Sequence, residues 1–199
     1  MPMPSPLAIP TLTGDLVTLE PLSHDHLEGL RTAAADGELW NLWYTTVPRP
    51  EAMAAEIDRR LELAERGEMV PFTTRSHRTG QVVGMTTFMG IDTTVPRLEI
   101  GHTWNARSTM GTGTNAESKL LLLGQAFDQW ECVAVEFRTH WLNQQSRAAI
   151  ERLGAKQDGV LRNHRRMADG SLRDTVVYSI VASEWPGVAN ELRRRLDRH

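Results

Sequence analysis

The stretch ARSTMGTGTNAESKLLLL, residues 106–123, constrains this chain more than any other. Gly111 and Gly113 stand one residue apart between a strand-like run and an apolar-periodic one. Ala116, Leu120, Leu123, Phe127 and Trp130 recur at i, i+4, i+7, i+11 and i+14, one face of a helix. Thr114 and Glu117 form a T-x-x-E capping box, which predicts the helix start immediately after Gly113. A strand must therefore pass through a small, bare turn straight into a helix. Such a turn offers free N–H groups at the positive end of the helix dipole, and glycine lets a bulky group approach the backbone. On local sequence three readings stand. The loop is a phosphate cradle, or a dinucleotide-binding turn, since GTGTNA satisfies G-x-G-x-x-A, or a tight turn that binds nothing. A Walker loop is excluded, because no Gly-Lys-Ser/Thr follows.

The rest of the chain places this turn in an α+β order. DLVTLEPL (15–22) alternates and predicts a strand, and Ser23 opens a helix carrying Leu27, Leu30 and Ala34 on one face. An aromatic loop follows, then a helix over 51–67 with Met53, Ile57, Leu61 and Ala64 on one face. Runs 69–76, 81–90 and 97–106 read as strands, the first two joined by the turn HRTG. Beyond the glycine loop and its helix come a strand over 132–140 and a helix over 143–154, with Asn143 as N-cap and Gly154 as stop. Two strands around the turn ADGS form a hairpin, and SEWPGVANELRRRLDRH predicts a closing helix. The order is β-α-α-β-β-β-α-β-α-β-β, with a mixed sheet.

At 199 residues the expectation is a flexible Pro-rich tail over 1–13 and one domain over 14–199. A net charge of −3 argues against nucleic acid as a partner. No apolar run reaches the roughly 20 residues of a membrane span, and MPMPSPLAIP lacks the pattern of a signal peptide. The expectation is a cytoplasmic protein without a membrane partner. Cys132 is the only cysteine, so neither an internal disulfide nor a CxxC metal site exists. A homodimer is compatible with the sequence.

LEIGHTWNARSTMGTGTNAES, followed by VEFRTHWLNQQSRAAIERLGAKQDGVLRNH, resembles the GNAT acetyltransferase superfamily, in its branch of ribosomal-protein N-terminal acetyltransferases (RimJ/RimL type). The likeness spans roughly Gly14 to Glu184. It rests on EIG opening the fourth strand, on a loop matching Q/R-x-x-G-x-G/A at Ser108, Gly111 and Gly113, and on N-x-x-S-x-x-x-I-E-x-L-G-A from Asn143 to Ala155. Ser108 stands where the family has Gln or Arg, and the fourth strand carries one extra residue before the loop. The resemblance implies a mixed, mostly antiparallel sheet flanked by helices, and a C-terminal helix. It also implies acetyl-CoA as co-substrate, no metal, and transfer to the amine of a small molecule, an amino acid derivative or a peptide N-terminus. A silent acyl-CoA-binding module and a dinucleotide-binding domain are the alternatives.

Acetyl transfer sets four needs. The amine must lose a proton, an oxyanion needs a donor, the leaving thiolate needs a hydrogen bond, and the pyrophosphate needs a cradle. For the cradle the resemblance points to the N–H groups of Met110, Gly111, Thr112, Gly113 and Thr114. A bulge near Thr103, Trp104 and Asn105 aims a backbone N–H at the thioester oxygen. The resemblance also implies that Asn143 holds the pantetheine arm and that Ser146 meets the sulfur. Glu99 is the leading base and His140 the second, an imidazole titrating near neutral pH; His102 is a weaker candidate. Trp40, Trp43 and Tyr44 lie in the segment that covers the acceptor in this family. The run RNHRRM (162–167) either projects cations into solvent or helps to hold anionic groups.

Overall fold

The computed structural model describes residues 9–45 and 47–197. The strands are β1 (Leu12–Thr13), β2 (Val17–Pro21), β3 (Met69–Ser76), β4 (Val82–Asp92), β5 (Arg97–Asn105), β6 (Ala134–His140), β7 (Lys156–Arg166) and β8 (Leu172–Val181). The helices are α1 (Leu27–Ala35), α2 (Met53–Glu65), α3 (Thr114–Gly124), α4 (Gln144–Arg152) and α5 (Trp185–Leu196). All eight strands form one sheet in the order β1-β2-β3-β4-β5-β6-β8-β7. Every pairing is antiparallel except β5–β6. The element order and the mixed, mostly antiparallel sheet are those expected.

Leu12 and Thr13, placed in the expected tail, pair with Leu19 and Thr18. Residues 1–8 of that tail, Thr46 of the aromatic loop and the last two residues of the closing helix lie outside the described residues. Among the described residues no helix is long and apolar enough to cross a membrane.

The sheet carries an apolar core on each face. On one, Phe72, Phe88, Leu98, Val135, Phe137 and Tyr178 pack against Leu122, Leu123 and Phe127 of α3 and its extension, Ile150 of α4 and Leu192 of α5. On the other, Leu30 and Ala34 of α1 and Met53 and Ile57 of α2 pack on Val82, Met85 and Trp104. The β4–β5 ladder closes tightly at Gly84: a Cβ there would collide with Trp104 O and with Asn105.

The face that α3 buries differs from the periodicity. Ala116 and Leu120 are only partly covered, whereas Thr114, Glu117, Ser118, Lys119, Leu122 and Leu123 are buried. The capping box is also absent. Gly113 is the N-cap, in the left-handed region at φ 84°, and no side chain caps the helix. The Glu117 carboxylate instead accepts the N–H groups of Asp15 (2.9 Å), Leu16 (2.7 Å) and Val17 (2.7 Å), tying α3 to the start of β2. Gly14 permits this, since a Cβ there would strike Glu117.

Candidate active site

The parallel β5–β6 ladder lasts three residue pairs, Arg97↔Ala134, Leu98↔Val135 and Glu99↔Glu136. Beyond Glu99 the strands diverge. A cavity of about 690 Å³ fills the opening, lined by β5 from Glu99 to Asn105 and by β6 from Phe137 to His140. It runs from Gly111, Gly113, Asn115 and Lys119 at the head of α3, past Asn143 and Ser146, to Leu42, Tyr44 and Val47 of the aromatic loop.

The glycine loop is held from outside. Arg107 N–H donates to Asp36 O (3.1 Å) and Ser108 N–H to Asp36 Oδ2 (3.0 Å), at the end of α1. The Ser108 bonds hold the Asp36 carboxyl below its ordinary range. Ser108 therefore anchors the loop and does not line the cavity, contrary to its expected ligand role. Met110 N–H donates to Arg107 O (3.0 Å) and Thr112 N–H to Thr109 O (3.3 Å), so these two expected donors are spent inside the loop. Thr112 and Thr114 share a hydroxyl hydrogen bond (2.9 Å). Among the described residues no acceptor meets the N–H groups of Gly111, Gly113, Thr114, Asn115 or Ala116. Gly111, at φ 76°, has open space where a Cβ would stand. Free N–H groups at a helix head, beside open space, fit an anion such as a diphosphate.

The bulge exists but sits one residue earlier than expected. Met85↔Trp104 and Thr87↔Gly101 are regular, so β5 carries the extra residue at His102–Thr103. His102 absorbs it at φ 46°. Two buried cations grip this bulge from opposite faces of the sheet. Arg60 of α2 donates from Nη2 to His102 O (3.3 Å) and from Nε to Glu56 (2.7 Å). Lys119 of α3 donates from Nζ to Thr103 Oγ1 (2.7 Å) and Thr86 Oγ1 (3.3 Å). Burial pushes the Lys119 ammonium down to about 7. Sequence reasoning missed both residues, although Arg60 falls on the helical stripe of Met53 and Ile57. Both line the cavity, and Arg60 Nη1 is buried without a hydrogen-bond partner among the described residues.

Glu99 stands at the apex of the opening. Ile100 enters the core, so Glu99 faces the opposite side, and Gly101 leaves room for its carboxylate. Burial raises its pKa above the ordinary carboxylate range, against the opposing charge of Arg138, whose Nε is 3.5 Å away. Burial also lowers His102, to about 4, so its ring is a weak base.

His140 takes a different part from the one expected. Leu142 N–H donates to its Nδ1 (3.0 Å). A backbone N–H can only donate, so the ring proton of the neutral imidazole sits on Nε2. That atom is buried without a partner among the described residues. His140 thus offers the cavity a donor and no lone pair, which excludes it as base in this geometry. Burial lowers its pKa, which keeps the ring neutral.

Asn143 caps α4 by accepting from Ser146 N–H (3.0 Å), and both line the cavity. Tyr44 also lines it. Trp43 packs edge-on against His140, with ring centroids 5.1 Å apart. Trp40 turns away, under the Arg49 guanidinium (5.9 Å). Tyr178 is buried and donates to Glu151 (2.8 Å), outside the cavity. Cys132 lies just before β6, 1% exposed, and burial pushes its thiol up to about 11. The glycine loop opens the one parallel crossover, β5-α3-β6, inside an otherwise antiparallel sheet, not the first turn of the multi-strand parallel sheet that a dinucleotide-binding fold requires, and the dinucleotide reading fails.

Comparison with known proteins agrees with this architecture. A model of the acetyltransferase (GNAT) domain matches residues 17–156. A Bacillus subtilis (strain 168) relative named "Putative ribosomal N-acetyltransferase YdaF" is 31% identical over 108 residues, 54% of this chain and 58% of that protein. The chain thus aligns with little more than half the length of that relative. The crystal structure of a GCN5-related N-acetyltransferase from Brucella melitensis superposes with a TM-score of 0.87 at 26% identity, over 96% of this chain and 87% of that one. Mycobacterium smegmatis RimJ, solved with a CoA disulfide, shares the fold at 21% identity, with a TM-score of 0.79 over 94% and 95% of the two chains.

Proposed function

Because this chain belongs to the GNAT acetyltransferase family and is an acyltransferase, we propose that it moves acetyl from acetyl-CoA directly to the amine of a small molecule, an amino acid derivative or a peptide N-terminus. The observation that carries this reading is the opening beyond Glu99 and Glu136. It joins the bare head of α3 on one face to a buried carboxylate on the other. Acetyl-CoA, when bound, supplies the acyl group as an activated thioester.

The residues of this chain do the rest. The N–H groups of Gly111, Gly113, Thr114 and Asn115 bind the diphosphate. Asn143 and Ser146 hold the pantetheine arm and its sulfur. The bulge at His102–Thr103 presents backbone to the thioester oxygen. Arg60 and Lys119 fix that backbone and set a positive potential around it, which favours the charge developing there. Glu99 takes the proton from the incoming amine. Its raised pKa suits this task, since a carboxylate shifted toward neutral pH is a stronger base. His140 Nε2–H donates to an oxygen of the acceptor, and Tyr44 packs beside it. The deeply buried, weakly acidic Cys132 takes no part, which favours direct transfer over an acetyl-cysteine.

The name of the Bacillus relative favours a ribosomal acceptor. The test is incubation with acetyl-CoA and a panel of amines and serine-initiated peptides, with thiol release and product mass as readouts. Acetylated product with stoichiometric CoA release is expected. Binding of acetyl-CoA without transfer to any amine would instead support a silent acyl-CoA-binding module.

A further inference from the structure

On the α1–α2 side the cavity is lined by guanidinium groups that the reaction above does not use. Arg165 and Arg173 stand directly opposite each other across the β7–β8 hairpin. Both line the cavity, with Arg138, His164 and Glu99. Like charges placed opposite in a sheet are destabilising. The charge of Glu99 acts on both, but no ion pair among the described residues joins it to either. Asp174 is taken by Arg162 (2.6 Å) and by Asn163 N–H (2.8 Å), and Glu136 by Arg97 and Arg138. The Arg173 side chain donates only to Thr175 Oγ1 (3.0 Å) among the described residues. Burial and the charge of Arg165 both lower its pKa.

The backbone is distorted at the same place. Leu161 pairs with Thr175 and Arg165 with Arg173, so Arg162, Asn163 and His164 all stand against Asp174. Asn163 accommodates the excess at φ 49°. Asparagine is one of the few residues that enter that region readily, and bulges re-aim the side chains beside them. A bulge and two facing guanidiniums therefore coincide at the spot where Arg165 and Arg173 meet the cavity. An anion placed between the guanidiniums would offset their repulsion.

We infer that the acceptor carries a carboxylate beside its amine, bound by Arg165 and Arg173 while the amine meets Glu99. This rests on the acetyl-transfer reading of the same cavity. The planar guanidinium fork takes a carboxylate through two parallel hydrogen bonds. The acceptor is dipolar, its ammonium end drawn to Glu99 and its anionic end to the hairpin. An amino acid's own α-carboxylate supplies this chemistry, and so does an aspartate or glutamate just behind a peptide N-terminus.

Two matched pairs distinguish the sources: an amino acid against its amide, and a serine-initiated peptide with glutamate at positions two and three against its glutamine counterpart. Each is measured by equilibrium binding to the CoA-loaded protein and by acetyl transfer. The acidic member of one pair should be favoured by about tenfold or more, the worth of one charge-assisted hydrogen bond. The pair that shows it identifies the source. Arg165→Gln with Arg173→Gln should bring the ratio within that pair to about one. If the double variant does not fold, Arg165→Gln alone, at an exposed position, should still reduce it. Transfer without preference, or a preference that survives these substitutions, overturns the inference. A binding preference without transfer sustains the carboxylate site and removes the acetyl-transfer reading. Failure of both pairs to bind overturns the site, and transfer to other amines then leaves that reading standing.

Discussion

Replacing Lys119 with methionine should stabilise the protein at neutral pH and slow it as an enzyme. The ammonium is 5% exposed and held near pH 7 by burial, against 10.5 for a free lysine. At about 1.4 kcal/mol per pKa unit, keeping this group in the fold costs about 4–5 kcal/mol at pH 7. Its hydrogen bonds to Thr103 and Thr86 return about 2–3 kcal/mol. Lys119→Met should thus gain about 2 kcal/mol, or about 1 M in urea midpoint for a slope near 2 kcal/mol/M. The sign depends on pH. Between about 7 and 10 the unfolded chain holds a proton on this residue that the folded chain has lost, so this group makes wild-type stability rise with pH. The variant lacks that rise. Urea titrations of both proteins from pH 6.5 to 10 should give curves that cross near pH 9, with the variant more stable below. Parallel curves, or a variant less stable at pH 7, would refute the account of Lys119 as an uncompensated buried cation. In the same preparations kcat should fall, because the Thr103 hydroxyl loses its ammonium partner and keeps only neutral contacts, the shorter with Thr86 Oγ1 (2.8 Å).

Glu99→Gln should lower kcat by about 10²–10⁴, with a loss that shrinks as pH rises, while acetyl-CoA affinity stays near wild type; an unchanged pH–rate profile would make the glutamate a bystander. Because the folded carboxyl titrates above its ordinary value, the wild-type rate should climb with pH through that raised pKa. Gly111→Val meets no neighbour but strains a backbone held at φ 76°, so it should cost about 1–3 kcal/mol of stability and, measured against its own ligand-free baseline, diminish the thermal stabilisation that acetyl-CoA confers; undiminished stabilisation would place the phosphates elsewhere. Cys132→Ser should retain turnover while losing about 1–3 kcal/mol of stability, the cost of a buried hydroxyl without a partner; a folded variant without turnover would argue for a covalent intermediate.

What could be read from the sequence was local. Gly111 and Gly113 announce a turn because only glycine enters the left-handed region cheaply. Asn143 announces its cap three residues before the N–H it accepts. The order of strands and helices followed from periodicity. Glu117 shows the limit: T-x-x-E reads as a capping box, but its partners lie about 100 residues away. Lys119 and Arg60 look like solvated side chains in the sequence, because burial of a charge is decided by tertiary packing and not by neighbours in the chain. The extra residue in the fourth strand signalled a bulge, but its position was set by pairing with β4. Trp40 had no local mark to tell it from Trp43.

If CoA binds as proposed, the short β5–β6 ladder gives it a second occupation. The sheet consists of two fully laddered panels, β1–β5 and β6–β8, stitched along a seam of three residue pairs. Parallel pairing is slightly weaker per residue than antiparallel, so this seam is the natural line along which the ligand-free molecule breathes. On the proposed reading, a thioester arm lying in the opening would touch both panels and act as a splint. Its binding free energy is then shared with the fold, as any ligand specific to the native state requires. Amide exchange in β6 should slow most when CoA is present, and each release of CoA would briefly restore the seam to its looser state.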